Sequence, residues 1–155
     1  MKIKLLAICS ALILTLTSLT SCSNSPSFSP ICDSLDSLTS SLGGKVVIYR
    51  PADSLDVPDS IISLYGRGGT APDELSLIDF AAIWYSDRLT CADAAVFHAI
   101  NATDIPSITK MCNRRAQTVK HSLGVDMVIE SRGHYVCIYT AGVDEIESVM
   151  ESVQG

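Results

Sequence analysis

Residues 126–140, DMVIESRGHYVCIYT, decide how this chain folds. Two runs of strand-forming residues flank a glycine, the pattern of a tight β-hairpin. With Arg132-Gly133 as the two-residue turn, Ile129 faces Val136 and Met127 faces Ile138. These four make an apolar face suited to packing against helices. Val128, Glu130, Tyr135, Cys137 and Tyr139 share the opposite face, which is too aromatic to stand bare in water. Two expectations follow for it. Either another segment covers it, such as the first helix, or Val128, Tyr135, Cys137 and Tyr139 form a contact surface.

Upstream, residues 78–85 (IDFAAIWY) and 93–100 (DAAVFHAI) read as a second pair of strands joined by residues 86–92. Ile78, Phe80, Ala82 and Trp84 are expected on one face, and Ala81, Ile83 and Tyr85 on the other. Between the hairpins, residues 104–123 carry a helical stripe of Ile105, Ile108, Cys112, Ala116, Val119 and Leu123. Thr103 or Asp104 caps this helix, Pro106 sits in its first turn and Gly124 ends it.

Toward the N-terminus, Ile31, Leu35, Leu38 and Leu42 mark a helix capped by Ser29, with Pro30 in its first turn and Gly43-Gly44 as the stop. Residues 45–49 (KVVIY) read as a short extended piece, and residues 58–65 as a short helix closed by Gly66. Thr70 and Asp73 resemble a capping box around Pro72. Val143, Ile146, Val149 and Val153 mark a final helix. The order predicts an α+β fold: an antiparallel sheet of about four strands, in two hairpins, with helices packed mainly on one face.

Ahead of this domain lies a different kind of sequence. Lys2 and Lys4 precede an apolar run from Leu5 to Leu19, and Leu19-Thr20-Ser21-Cys22 closes it. A basic start, a short apolar core and small residues at a cut describe a secretory signal. The cysteine directly after the small residues is the arrangement of a bacterial lipobox, with cleavage before Cys22 and lipidation of its thiol. An uncleaved span fits less well, because the run is short and diluted by Ser10, Thr15, Thr17 and Ser18. A plain secretory signal does not require the cysteine. A diacylated cysteine carries two acyl chains, enough for stable anchoring. Ser23 and Asn24 place no aspartate after Cys22, so retention at an inner membrane is not indicated. The expected layout is therefore a signal over residues 1–21, a Ser/Pro tether over 22–30 (CSNSPSFSP) and one α+β domain over 31–155. The expected location is the outer face of the cell membrane, or the outer membrane of a host that has one.

Without the two signal lysines, nine Lys and Arg face seventeen Asp and Glu, a formal charge of −8. That balance disfavours nucleic acid and anionic headgroups as partners. Four cysteines remain beyond Cys9 and Cys22, namely Cys32, Cys91, Cys112 and Cys137, an even number that permits disulfides without dictating their pairing.

The Leu64-Tyr65-Gly66 turn, the strand from Ala82 to Ser86 and the segment Thr90-Cys91-Ala92-Asp93-Ala94-Ala95-Val96-Phe97 form a pattern. A long helix with an arginine near Arg115 and the Gly133-His134-Tyr135-Val136 strand complete it. Over roughly residues 59–153 the chain resembles an uncharacterised family of bacterial lipoproteins, the domain of unknown function 4358 family. The resemblance implies an anchored extracytoplasmic domain and assigns no catalytic residue.

Local spacing does not build a metal or nucleophile site. His134 and Cys137 lie three apart on a strand, Cys91 and His98 seven apart, and Cys112 and His121 nine apart on a helix. Each spacing points the two side chains to opposite faces. No metal ligand set and no cofactor motif is therefore assigned. Gly66-Arg67-Gly68-Gly69 follows a helix and lacks a following Lys-Ser/Thr, so it reads as a connection rather than a phosphate cradle. Lys110, Arg114 and His121 share a face of the long helix, a candidate patch for an anionic partner set against a plain solvated face. Arg115 lies nearer the buried side. The leading expectation is a lipid-anchored binding domain for an envelope protein or ligand, with no catalytic residues. Its rivals are a thiol-dependent enzyme using Cys91 or Cys137, and a structural lipoprotein stabilised by disulfides.

Overall fold

A computed structural model describes residues 27–88 and 92–153. The leader, Cys22 and Cys91 lie outside the described residues. Four helices, α1 (Ser29–Leu42), α2 (Asp59–Tyr65), α3 (Ile105–Leu123) and α4 (Asp144–Glu151), flank five strands. These are β1 (Lys45–Tyr49), β2 (Ile78–Tyr85), β3 (Asp93–Ala99), β4 (Met127–Arg132) and β5 (Tyr135–Thr140). All pairings are antiparallel, in the order β1-β2-β3-β5-β4. The fold is α+β. Among the described residues no helix is long and apolar enough to cross a membrane.

Three details differ from the sequence pattern. First, the extended piece at residues 45–49 pairs with β2, Val47 opposite Ile83, and becomes a fifth strand at the sheet edge. Second, the helices cover both faces rather than mainly one. Ile31, Leu35 and Leu38 of α1 and Ile146 and Met150 of α4 pack with Phe80, Trp84, Val96, Tyr135 and Tyr139. Ile61 and Tyr65 of α2 and Ile108, Met111 and Cys112 of α3 pack with Ile83, Phe97, Val136 and Ile138. The physical cause is that β2, β3 and β5 are apolar on both sides, and each side must leave water. Third, the hairpin turn lies one residue further on. Gly133, at φ 56°, and His134 form it, and Arg132 faces Tyr135. Ile129 therefore opposes Ile138 rather than Val136. A pairing shift of two residues preserves the faces, so the two expected sets of side chains stay together.

An irregularity between Ile78 and Phe80 turns Ile78 to the α2–α3 side, away from Phe80, Ala82 and Trp84. The helix starts also differ in detail. Neither α1 nor α3 has a side-chain cap, although proline stands in the first turn of each. Gly124 ends α3 in the left-handed conformation at φ 71°.

Candidate functional site

At the end of α2 the chain passes through Gly66. A Cβ there would collide with the carbonyl oxygens of Ile62 and Thr70, so only glycine fits. The next four residues close on themselves. Arg67 N donates to Thr70 O at 3.1 Å and Thr70 N to Arg67 O at 3.0 Å. Gly68 and Gly69 supply φ values of 57° and 80°, as a type I′ turn demands. The expected connection is thus a fastened turn that sets Arg67 close to α3.

The second half of α3 supplies the facing wall. Arg114 forms an ion pair with Glu74 at 2.7 Å, which holds the Glu74 carboxyl below its ordinary range. Arg115 donates from Nε and Nη2 to Asp93 Oδ2 at 3.1 and 2.5 Å. Asp93 is only 2% exposed, and burial raises its carboxyl above the ordinary value while Arg115 opposes the rise. Thr140 Oγ1 accepts from Asp93 N at 3.0 Å and fixes the start of β3. Of the four buried polar atoms without a hydrogen-bond partner among the described residues, Thr39 Oγ1 lies elsewhere and three lie here: Tyr65 Oη, Asp93 Oδ1 and Arg114 Nε. Burial, and then the nearby Asp93, pushes the Tyr65 phenol well above its ordinary range, so it stays a donor.

Beside this cluster lies a cavity of about 370 Å³. Tyr65, Arg67, Arg114, Arg115, Gln117 and His121 line it, with Thr118 and Ser122 alongside, and no carboxylate does. The whole chain carries a formal charge of −6 with eleven Lys and Arg, and three of the arginines meet here. Arg114 and Arg115 each have a carboxylate partner, whereas Arg67 forms no ion pair among the described residues. The cavity therefore carries the surplus positive charge of Arg67 beside two paired arginines, a setting that favours an anion.

Of the expected patch, Arg114 and His121 reach this cavity. Lys110 does not; it borders a separate cleft with Asp73, Glu74 and Ser107. The contact surface is corrected. Tyr135, Cys137 and Tyr139 are buried in the layer formed with α1 and α4, and Val128 packs half-buried against it. They are core because α1 and α4 close over that face. Tyr139 Oη donates to Glu130 Oε1 at 3.2 Å, and burial followed by Glu130 pushes its phenol up to about 12.

The thiol readings narrow as well. Cys137 is fully buried, and burial pushes its thiol up to about 11, so it supplies no thiolate nucleophile near neutral pH. Cys112 is raised further by the same cause. Cys32, Cys112 and Cys137 are all free thiols, so among the described residues no disulfide supports the bridged alternative.

A second polar cluster lies at the opposite end of the sheet. His98 Nδ1 and Asp79 Oδ1 are 2.6 Å apart, and the His98 ring stacks on His134 at 5.6 Å. Phe28 stacks flat on Phe80 at 4.0 Å, with the Arg50 guanidinium over both rings. Among the described residues no three metal-ligating side chains come together. The Phe28 stack fastens the chain just ahead of α1. Tyr65 and Arg67 of the arginine cavity carried no functional expectation from the sequence; the Gly68-Gly69 pair, read there as a plain connection, is the type I′ signal that could have pointed to an ordered Arg67. Comparison with family models, curated proteins and solved structures returns no match for this chain.

Proposed function

We propose that this protein is an exported lipoprotein, held at the outer face of a membrane by a lipidated Cys22, whose α+β domain binds an anionic ligand. The lipobox-like Leu19-Thr20-Ser21-Cys22 and the Ser/Pro tether support the anchor. The resemblance to the uncharacterised lipoprotein family, which is itself part of this proposal, agrees with it. The observation that carries the binding reading is the carboxylate-free cavity lined by Arg67, Arg114 and Arg115. Glu74 and Asp93 neutralise Arg114 and Arg115, so Arg67, which forms no ion pair among the described residues, is the charge left over for an incoming anion.

Two measurements test the reading. Cys22→Ala is expected to move the protein from the membrane to the soluble extracytoplasmic fraction without changing its melting temperature. A variant that loses its leader and still stays membrane-bound rules out the anchor. The full chain, melted in detergent with a panel of carboxylate, sulfate and phosphate compounds, is expected to gain stability with at least one anion. The gain should disappear in Arg67→Gln. Equal melting in every anion rules out the binding reading.

A further inference from the structure

We infer that the arginine cavity takes the phosphate ester of a small polar alcohol, presented from the side away from the anchoring bilayer. The inference rests on the binding function proposed above and names its ligand.

The chemistry of the donors favours phosphate. A carboxylate offers two oxygens in one plane. The cavity is lined by the Arg67 side chain from the turn after α2 and by Arg114 and Arg115 from α3, so guanidinium groups border it from two walls. A tetrahedral phosphate presents three terminal oxygens in different directions and accepts such a set, and arginine forks match it in pairs. The volume of about 370 Å³ exceeds what a bare anion fills. Gln117, Thr118 and Ser122 border the remaining space and suit hydroxyl groups rather than an alkyl chain.

Position decides between a dissolved ligand and the membrane's own headgroups. From Cys22 to Phe28 the chain spans at most about 20 Å. Phe28 is pinned beside Phe80 and His98, so that end of the sheet stays close to the anchor. The cavity borders the second half of α3, near the Asp93 end of β3, and on the sheet face opposite α1. β3 alone separates the two ends by about 20 Å. The cavity thus opens on the end and the face of the sheet opposite Phe28, turned away from the point where the chain enters the domain.

The test uses the full lipidated chain in phosphatidylcholine vesicles, titrated calorimetrically with glycerol 3-phosphate and separately with acetate. Glycerol 3-phosphate is expected to bind and acetate to bind at least tenfold more weakly. Arg67→Gln, which removes one charge-assisted contact, and the exposed Gln117→Glu, which adds a repelling charge, are each expected to weaken glycerol 3-phosphate about tenfold. Neither should alter the melting temperature without ligand. Adding one third phosphatidylglycerol to the vesicles should leave the affinity unchanged. Equal binding of acetate overturns the phosphate assignment while the anion-binding function stands. Phosphatidylglycerol that competes away glycerol 3-phosphate makes lipid headgroups the occupant and overturns the outward orientation. No binding of either probe overturns this inference, and if the wider anion panel also fails, the binding function falls with it.

Discussion

Arg115→Met isolates the buried ion pair that joins α3 to the start of β3. Methionine keeps most of the aliphatic stem and removes the guanidinium. In the native protein Asp93 Oδ2 accepts two hydrogen bonds from Arg115, and Oδ1 accepts none among the described residues. Without Arg115 the carboxylate, 2% exposed, keeps no charged partner. Removing one member of a buried pair costs about 3–5 kcal/mol. Because Arg115 itself is 14% exposed in its side chain, water reaches the pair and the lower end applies, about 3 kcal/mol. With a urea m-value of about 1.5 kcal/mol/M for a domain of this size, the unfolding midpoint falls by about 2 M at neutral pH. The pH dependence separates charge from packing. Burial holds the folded Asp93 above its ordinary 3.8, so the stability linked to this carboxyl is complete below that value and is lost as pH rises through the folded value. Arg115 limits that rise, and the variant loses the limit. The gap between variant and parent should therefore be small near about pH 3.5 and reach full size toward pH 7. Urea midpoints of both proteins across that range make the measurement. A gap of the same size at both ends would mean lost packing alone and refute the electrostatic account.

Other consequences are simpler to read. Arg132 Nη1 donates to Met150 O at 2.7 Å and Val153 O at 2.9 Å, satisfying the carbonyl end of α4. Arg132→Gln is expected to cost about 1–2 kcal/mol and to speed hydrogen exchange selectively in residues 144–153; protection unchanged there would count against the clamp. Gly66→Ala should cost about 2 kcal/mol through backbone collision in the turn, measured by thermal melting, and a neutral effect would show that the turn is not tightly packed. In a Cys91→Ser background, a thiol reagent at mildly alkaline pH should modify Cys32 and spare buried Cys112 and Cys137 until the protein unfolds. Rapid loss of the Cys137 thiol in the folded state would contradict its burial.

Strands β2, β3, β4 and β5 and helix α3 were legible because period-two and helical patterns are local. Gly124 marked the end of α3 by the same local logic. The pairing of β1 was not, since its partner β2 lies about 30 residues onward and KVVIY carries no turn signal linking the two. The faces of the second hairpin survived a displaced turn only because pairing moved by two residues. The stripe Ile31, Leu35 and Leu38 states that α1 is buried but not on which side of the sheet, a choice made by connections and by the apolar residues on both faces. The arginine cavity was half visible. Arg114 and His121 stood out as an exposed pair, and Arg115 read as facing inward. Their meeting with Tyr65 and Arg67, some 50 residues earlier, depends on how α2 docks on α3.

The Phe28 stack also sets how the domain answers to tension. A pull on the chain before Ser27 arrives first at the Phe28–Phe80 contact and then at the N-terminal turn of α1. From there Ile31, Leu35 and Leu38 are loaded one after another, so the helix peels from the sheet turn by turn instead of shearing along its length. Peeling needs little force at any moment. Beneath α1 lie Phe80 and Trp84 of β2, whereas α4 covers β5, so traction on the chain ahead of Ser27 is the perturbation that would bare the β2 aromatic surface while the α2–α3 layer holds.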